Sequence, residues 1–472
     1  MEVEKELLKK AVAVAKKEGA KDVVAKLTKK IEHQIRFSNS AIDISKQWNS
    51  NELEIFLSIG RRISFIKLQN PSNELINKKI PKAILSLRKL PKSMLYWGID
   101  KKKYTYTFIE GLYDSEIENF SDNAPNLVNT AINSSLESGV KKVAGVLYFG
   151  SRSTGILTSY DNGGTYKSSY YRMTLRAFAD AESSGQEIIV GRNLKNVENN
   201  FIEVGRKAGE IAAMALGGGQ GKPGKYDVIM SPTVAGNVLN HIYEGANPLQ
   251  IIMKMSCLSK IKIGQQIGPE NLSVSDDALI TDGLNSRPFD FEGTPSQITP
   301  IIRNGKFAGL VHNTSSAKLW KLLNLIKFKW INNKTTGNSH LGGFLDENYG
   351  PKLLAPLPSN FVYKPGDITS EEIIAESKQP TIYLTSNWYT RFTNYLEGKF
   401  STIPRDGMFL IENGEIKKPL RKLRLTETLL GMLNRIEAIG KDRKQIFWWE
   451  VETPTFLPTI KVAECNFTAA TQ

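Results

Sequence analysis

Residues 22–68 read DVVAKLTKKIEHQIRFSNSAIDISKQWNSNELEIFLSIGRRISFIKL. Apolar and polar residues alternate along this stretch, the period of a half-buried strand, and Asn, Ser and Gly interrupt it at turn positions. It predicts five strands, DVVAKLTKK, EHQIRFSNS, AIDISKQW, ELEIFLSIG and RRISFIKL, in an antiparallel sheet with one wet face. Just upstream, Leu7, Ala11, Val14 and Ala15 recur at helical spacing, with Gly19 as a C-terminal stop. A second helix is expected over 71–90, so the N-terminal unit reads as helix, meander, helix.

Further along, a helix is expected at 124–138, followed by the strand candidates VAGVLYFGS, GILTSYDNG, TYKSSYYRMTLRAFADAE and GQEIIVG. Asn162-Gly163-Gly164 is a strong hairpin signal. A helix over 199–216 carries Ile202, Ala208, Ile211, Ala212 and Ala215 into the run GGGQGKPGK, which marks a domain boundary. Beyond it the apolar strand YDVIM leads to Ser231-Pro232, an N-cap and first helical position, with Val234, Val238 and Ile242 as the buried stripe. Short strand candidates dominate the remainder, among them ITPIIRNG, KFAGLVHN, TIYLTSN, GMFLIENGEI and IKVAECNF, with one late helix over 426–440. The fold class is therefore α+β, with N-terminal and middle antiparallel sheets, flanking helices and a larger sheet-rich C-terminal domain. The expected domains are 1–105, 106–216 and 217–472.

A chain of 472 residues with 40% hydrophobic and 23% charged residues can bury a sizeable core, which excludes disordered, collagenous and disulfide-built classes. The start, MEVEKELLKK, has no apolar signal region, and the apolar run IAAMAL at 211–216 is far shorter than a membrane span, so a cytoplasmic protein is expected. Cys257 and Cys465 stand apart as isolated thiols. The net charge of +14 favours anionic partners. Part of it falls in 81–103, where Arg88, Lys89, Lys92 and Lys101 to Lys103 mix with Tyr96 and Trp97. Such a mixture can track a nucleic-acid backbone, but a solvated linker is the simpler reading, and no DNA- or RNA-binding motif accompanies it.

Catalytic candidates are sparse. A zinc hydrolase needs about three ligands and a carboxylate for its water, and the chain has four histidines. His33 falls in a strand, His312 ends another, His340 lies in a polar turn, and His241 sits on a helix near its apolar stripe. His241 and Glu244, three apart, share a face but make an incomplete site. GGGQGKPGK lacks the spacing of a phosphate loop, and Ser183-Ser184-Gly185 is no nucleophile elbow. Asp276, Asp277, Asp282, Asp290 and Glu292 cluster in sequence, enough to suggest a cation or an acid/base pair, with polar loop residues as the plainer explanation.

Five stretches taken in order resemble the TldD/PmbA family, also called modulators of DNA gyrase: EHQIRFSNSAIDISKQW at 32–48, SCLSKIKIGQQIGPENLSVSDDAL at 256–279, SRPFDFEGTPSQITPIIRNGKFAGLVHN at 286–313, TTGNSH at 335–340 and NWYTRFTNYLEGKFSTIPRDGMFLIENGEI at 387–416. The resemblance covers nearly the whole chain and implies a metallopeptidase subunit acting on unfolded peptides. In the catalytic branch, HExxxH follows a YDVIM-like strand and, with a C-terminal cysteine, binds zinc. The matching helix here reads PTVAGNVLNHIYEGANPLQ, which puts Asn240 and Gly245 at the histidine positions and His241 at the glutamate. No cysteine stands in IGKDRKQIFWWE, and Cys465 lies later.

The resemblance therefore implies the non-catalytic PmbA (TldE) branch: no catalytic residue and no metal in this chain, zinc in a TldD-like partner, and an unfolded peptide as substrate. Strand edges could add such a peptide by main-chain pairing. Arg391, Phe392, Asn394 and Arg405, in the densest family-like stretch, are the expected peptide or interface contacts. Two alternatives stay open: an independent metallopeptidase using His241, Glu244 and a loop carboxylate or His340, and a DNA-associated binding protein.

Overall fold

In the computed structural model, which describes residues 2–326, 334–342 and 352–470, α1 (Glu2–Lys17) leads through Gly19 into three long strands, β1 (Asp22–Ser38), β2 (Ala41–Ile59) and β3 (Arg62–Gln69). The five expected strands merge into three because the polar runs pair with each other. Lys29 faces Asn51 and Lys30 faces Ser50, so residues that read as turns form a wet stretch of ladder. The real β1–β2 turn is Asn39-Ser40, both at positive φ. After α2 (Asn73–Leu87) and α3 (Ala124–Leu136) come β4 (Lys142–Thr158), β5 (Gly163–Phe178), β6 (Ser184–Gly191) and α4 (Val197–Met214). Pairing of β1 with β4 joins the strands of the first two expected units into one antiparallel sheet, ordered β3-β2-β1-β4-β5-β6.

Two helix pairs cover this sheet. Leu8, Ala11 and Ala15 of α1 and Ile76, Ile80 and Ile84 of α2 bury Val23, Ala25, Leu53 and Ile55. Toward the other end, α3 and α4 cover Phe37, Leu147 and Phe149. Those two helices touch backbone to backbone: a Cβ on Gly205 would collide with the Ala131 carbonyl. Gly205→Ala, which in an exposed helix would stabilise by about 1 kcal/mol, is expected here to destabilise by about 1–3 kcal/mol through overpacking. Chemical denaturation checks the sign. The basic segment 81–103 is packed rather than a solvated linker: Tyr96 is buried and its hydroxyl donates to Asp22 at 2.7 Å, while Arg61 stacks on Trp97.

The glycine run is tacked down by β7 (Gly219–Gln220), which pairs with β17 (Glu415–Arg421). Then come β8 (Gly224–Met230), α5 (Pro232–Leu239), α6 (Ile242–Gly245), α7 (Pro248–Ile252), β9 (Val274–Asp277), β10 (Ile298–Arg303), β11 (Lys306–Phe307) and α8 (Thr314–Ile326). They are followed by β12 (Ser339–Gly342), β13 (Leu353–Pro356), β14 (Phe361–Tyr363), α9 (Ser370–Ala375), β15 (Thr381–Asn394) and β16 (Lys399–Glu412). After β17 the chain ends with β18 (Leu423–Thr428), α10 (Leu429–Asn434), β19 (Ile436–Ile439), β20 (Lys444–Trp448), β21 (Val451–Leu457) and β22 (Ile460–Ala469).

Strands β15, β8, β22, β18 and β16 pair in that order, and β16 pairs back with β15, so the ladder closes into a ring. A second sheet, β11-β10-β9-β14-β21-β20, lies beside it. The late helix is much shorter than expected. Thr426, Glu427 and Thr428 pair with Ser401, Phe400 and Lys399, and Ile436–Ile439 pairs with β22, so long-range ladders leave only α10 helical. His340 belongs to β12 rather than a turn, and His312 precedes α8 instead of ending a strand. Among the described residues no helix is long and apolar enough to cross a membrane.

Candidate functional site

Alternation along β1, β4 and β5 places Lys26, Arg152, Thr154, Ile156, Tyr166 and Ser168 on one face of the first sheet. There Thr154 pairs with Tyr166, Arg152 with Ser168 and Lys26 with Ile156. This face floors a cleft of about 820 Å³. The opposite wall is built from the loop around Asn285 to Phe291, from Ser339 and His340 of β12, and from Phe392 and Tyr395 at the β15–β16 hairpin. At one end the cleft shares His241, Tyr243, Glu244, Thr390, Arg391 and Glu452 with a side cavity of about 330 Å³.

The α5 helix positions that end. Ser231 caps it, its Oγ accepting from the Val234 N–H and donating to the Thr385 carbonyl at 2.8 Å. The helix stops at Leu239, so Asn240 and His241 occupy a turn before α6 instead of a continuous helical face. His241 packs edge-on against Phe392 at 4.8 Å, with Nδ1 3.2 Å from Glu244 Oε2. Burial raises Glu244, but the His241 charge and hydrogen bonds from His241 and Tyr243 outweigh it and hold the carboxyl below its ordinary value.

These residues do not fit a zinc site. Asn240 offers an amide and is buried, and at Gly245 a Cβ would lie 3.1 Å from Ser256 Oγ and 3.6 Å from Leu258, so the side-chain space is already filled. Ser256 is fixed there, donating to the Gly245 carbonyl at 2.8 Å. Cys465 is buried in β22, where burial pushes its thiol far up. His241 and Glu244 come together while His340 lies elsewhere in the cleft. Among the described residues no group of three His, Cys, Asp or Glu is placed to hold a metal.

Of the four expected contacts, Arg391 and Phe392 line the cleft. Asn394 instead caps the hairpin turn, its Oδ1 accepting from Glu397 N–H at 3.1 Å, and Arg405 stacks on Trp388 at 5.1 Å. The expected carboxylate cluster divides. Asp276, Asp290 and Glu292 are fully buried, and burial raises all three. Asp277 caps Leu279 N–H and Asp282 accepts from Asn193. The residues that sequence reasoning missed are the cleft's cations, Lys26, Arg152, Arg192 and Arg287. Strand alternation marks the first two as sharing a face, but nothing local marks the last two.

The family model of the PmbA/TldA metallopeptidase C-terminal domain matches residues 223–469, the part that contributes α5, the ring of strands and one wall of the cleft. That defines a metallopeptidase-type architecture. The chain belongs to the TldD/PmbA family. A metalloprotease of Methanocaldococcus jannaschii is 26% identical over 258 residues, 55% of this chain and 52% of that protein. The metalloprotease PmbA homolog of Buchnera aphidicola is 23% identical over 240 residues, 51% of this chain and 46% of its own length. The chain thus spans about half the length of the curated relatives it matches. Among solved structures, TldE from Thermococcus kodakarensis has a TM-score of 0.83 at 15% identity, covering 98% of this chain and 100% of that one. A Thermotoga maritima protein described as a candidate modulator of a DNA gyrase gives 0.81 at 21% identity, covering 98% and 100%. These two likenesses concern the fold.

Proposed function

We propose that the chain is a TldE-like, non-catalytic subunit that pairs with a zinc-bearing TldD-like partner and holds unfolded peptide for hydrolysis by that partner. It binds no catalytic metal and acts in the cytoplasm. The observation that carries this reading is the contrast within one site. The positions that bear zinc ligands in the catalytic branch are an amide and a space-filled glycine, yet the adjoining cleft is large and lined by Arg391, Phe392 and other polar and aromatic side chains. β20, whose Phe447 lines the cleft, is an end strand of its sheet. An extended peptide beside it would have main-chain partners on one side and the cleft's side chains on the other.

The purified chain is expected to carry well under one equivalent of zinc, to show no peptidase activity alone, and to support activity once a TldD-like partner is added. His241→Ala should leave that joint activity within about threefold. Stoichiometric zinc with activity of the chain alone, abolished by His241→Ala, would reject the proposal.

A further inference from the structure

Charge is unevenly spread along the cleft. Glu244 and Glu452 lie where it meets the side cavity, together with Arg391, which pairs with Glu450 there, whereas Lys26 and Arg152 rise from the floor and Arg287 comes from the loop opposite, all away from that junction. All three line the same cleft as His340. Burial first, then the charges of Lys26, Arg287 and Arg152, drive its imidazole down to about 3, so the ring adds no charge of its own near neutrality.

Their existing partners are few. Lys26 pairs with Glu54 at 3.1 Å. The Arg152 side chain is exposed and makes no ion pair or hydrogen bond among the described residues. Arg287 has Nε and Nη2 buried and hydrogen-bonded to nothing among them. The carboxylates that feel its charge, Asp276 and Asp290, are already engaged. Asp290 accepts from the N–H groups of Glu292, Thr294 and Ser339, and Asp276 from Ser359 and Asn338. Buried guanidinium donors without an acceptor are costly, and the charge of a guanidinium that lines a cleft favours a carboxylate beside it.

Resting on the reading of this cleft as a peptide-holding site, we propose that it selects peptides bearing a carboxylate, which lodges between Arg152 and Arg287. The carboxylate is either an acidic side chain or a free C-terminus. The aromatic rings along the cleft, Tyr166, Phe289 and Phe447 among them, would cover the apolar neighbours of that group.

The test is fluorescence anisotropy on the full chain with four labelled probes: an acidic peptide with amidated C-terminus, a neutral peptide with free C-terminus, the same neutral peptide amidated, and a single-stranded oligonucleotide. At least one carboxylate-bearing peptide should bind tenfold or more tighter than the neutral amide. Which one does so identifies the source of the group. Arg152→Gln and Arg287→Gln should each remove most of that preference, weakening the carboxylate-bearing peptide at least fivefold more than the neutral amide. Arg152 is exposed, so its variant will fold even if Arg287→Gln does not. Equal binding of acidic and neutral peptides would overturn the charge preference and leave the peptide-holding reading standing, whereas failure of every peptide to bind would overturn both. Tighter binding of the oligonucleotide than of any peptide would overturn the proposal in favour of a nucleic-acid site.

Discussion

Arg192→Ala is expected to lower the apparent melting temperature by roughly 3–5 °C, taking about 3–5 kcal/mol for the buried carbonyls it leaves unsatisfied. Arg192 is 2% exposed and follows the last strand of the first sheet. Its guanidinium donates to five backbone carbonyls. Nε reaches Gly283 at 2.7 Å, Nη1 reaches Leu112 and Ser169 at 3.2 Å, and Nη2 reaches Leu284 at 2.7 Å and Ser286 at 3.3 Å. Alanine would strand those carbonyls away from water and release the loop that carries Arg287. Lysine keeps a charge but not the fork, so Arg192→Lys should recover only part of the loss. Scanning fluorimetry of the two variants, with limited proteolysis around residues 281–287, reads both effects. Wild-type melting and loop protection in Arg192→Ala would refute the clamp.

The second large effect is on pH dependence. Glu292 accepts from Thr314 N–H at 3.2 Å and Ser339 Oγ at 3.1 Å, with Asp290 close by. Burial, and then the Asp290 charge, raises Glu292 well above its ordinary value, and burial raises Asp290 as well. A raised carboxyl means that the folded chain retains a proton which the unfolded chain releases above about 4.5. The associated stability is thus full below that value and is lost as pH climbs through the raised folded value. Glu292→Gln keeps the shape of the neutral acid, with an oxygen for Thr314 and an amide for Ser339. Its melting temperature should match wild type near pH 5 and exceed it increasingly toward pH 9. Parallel melting curves for the two proteins across that range would show that the pair does not govern alkaline stability.

Much of the architecture was legible in local pattern. Alternation and the turn signals at Asn39, Gly60 and Asn162-Gly163 gave the N-terminal strands, and Ser231-Pro232 gave the start of α5. Where the reading failed, long-range pairing had overridden local signal. Polar residues at 29–30 and 49–51 extend strands because they face each other, and Thr426 to Thr428 abandon a helix for the ladder with Lys399 to Ser401. Within the site, the family-like stretch led to Arg391 and Phe392, which do line the cleft, and to Asn394 and Arg405, which serve a turn and a tryptophan face. The cations that line the cleft with His340 come from residues 26, 152 and 287, with no spacing that a linear reading could detect. Arg287 is notable only because two of its buried donors have no acceptor among the described residues, which is a property of three-dimensional placement.

The ring of strands also sets a timetable for biosynthesis. The two neighbours of β8 are residues 381–384 and 460–467, so a strand emerging by residue 230 must wait for some 230 more residues before both its flanks are covered. At ribosomal rates of about 5–20 residues per second, that delay is on the order of 10–50 s. Through that interval the apolar segment Val228-Ile229-Met230 remains exposed on the nascent chain, a client for whichever chaperone meets it first.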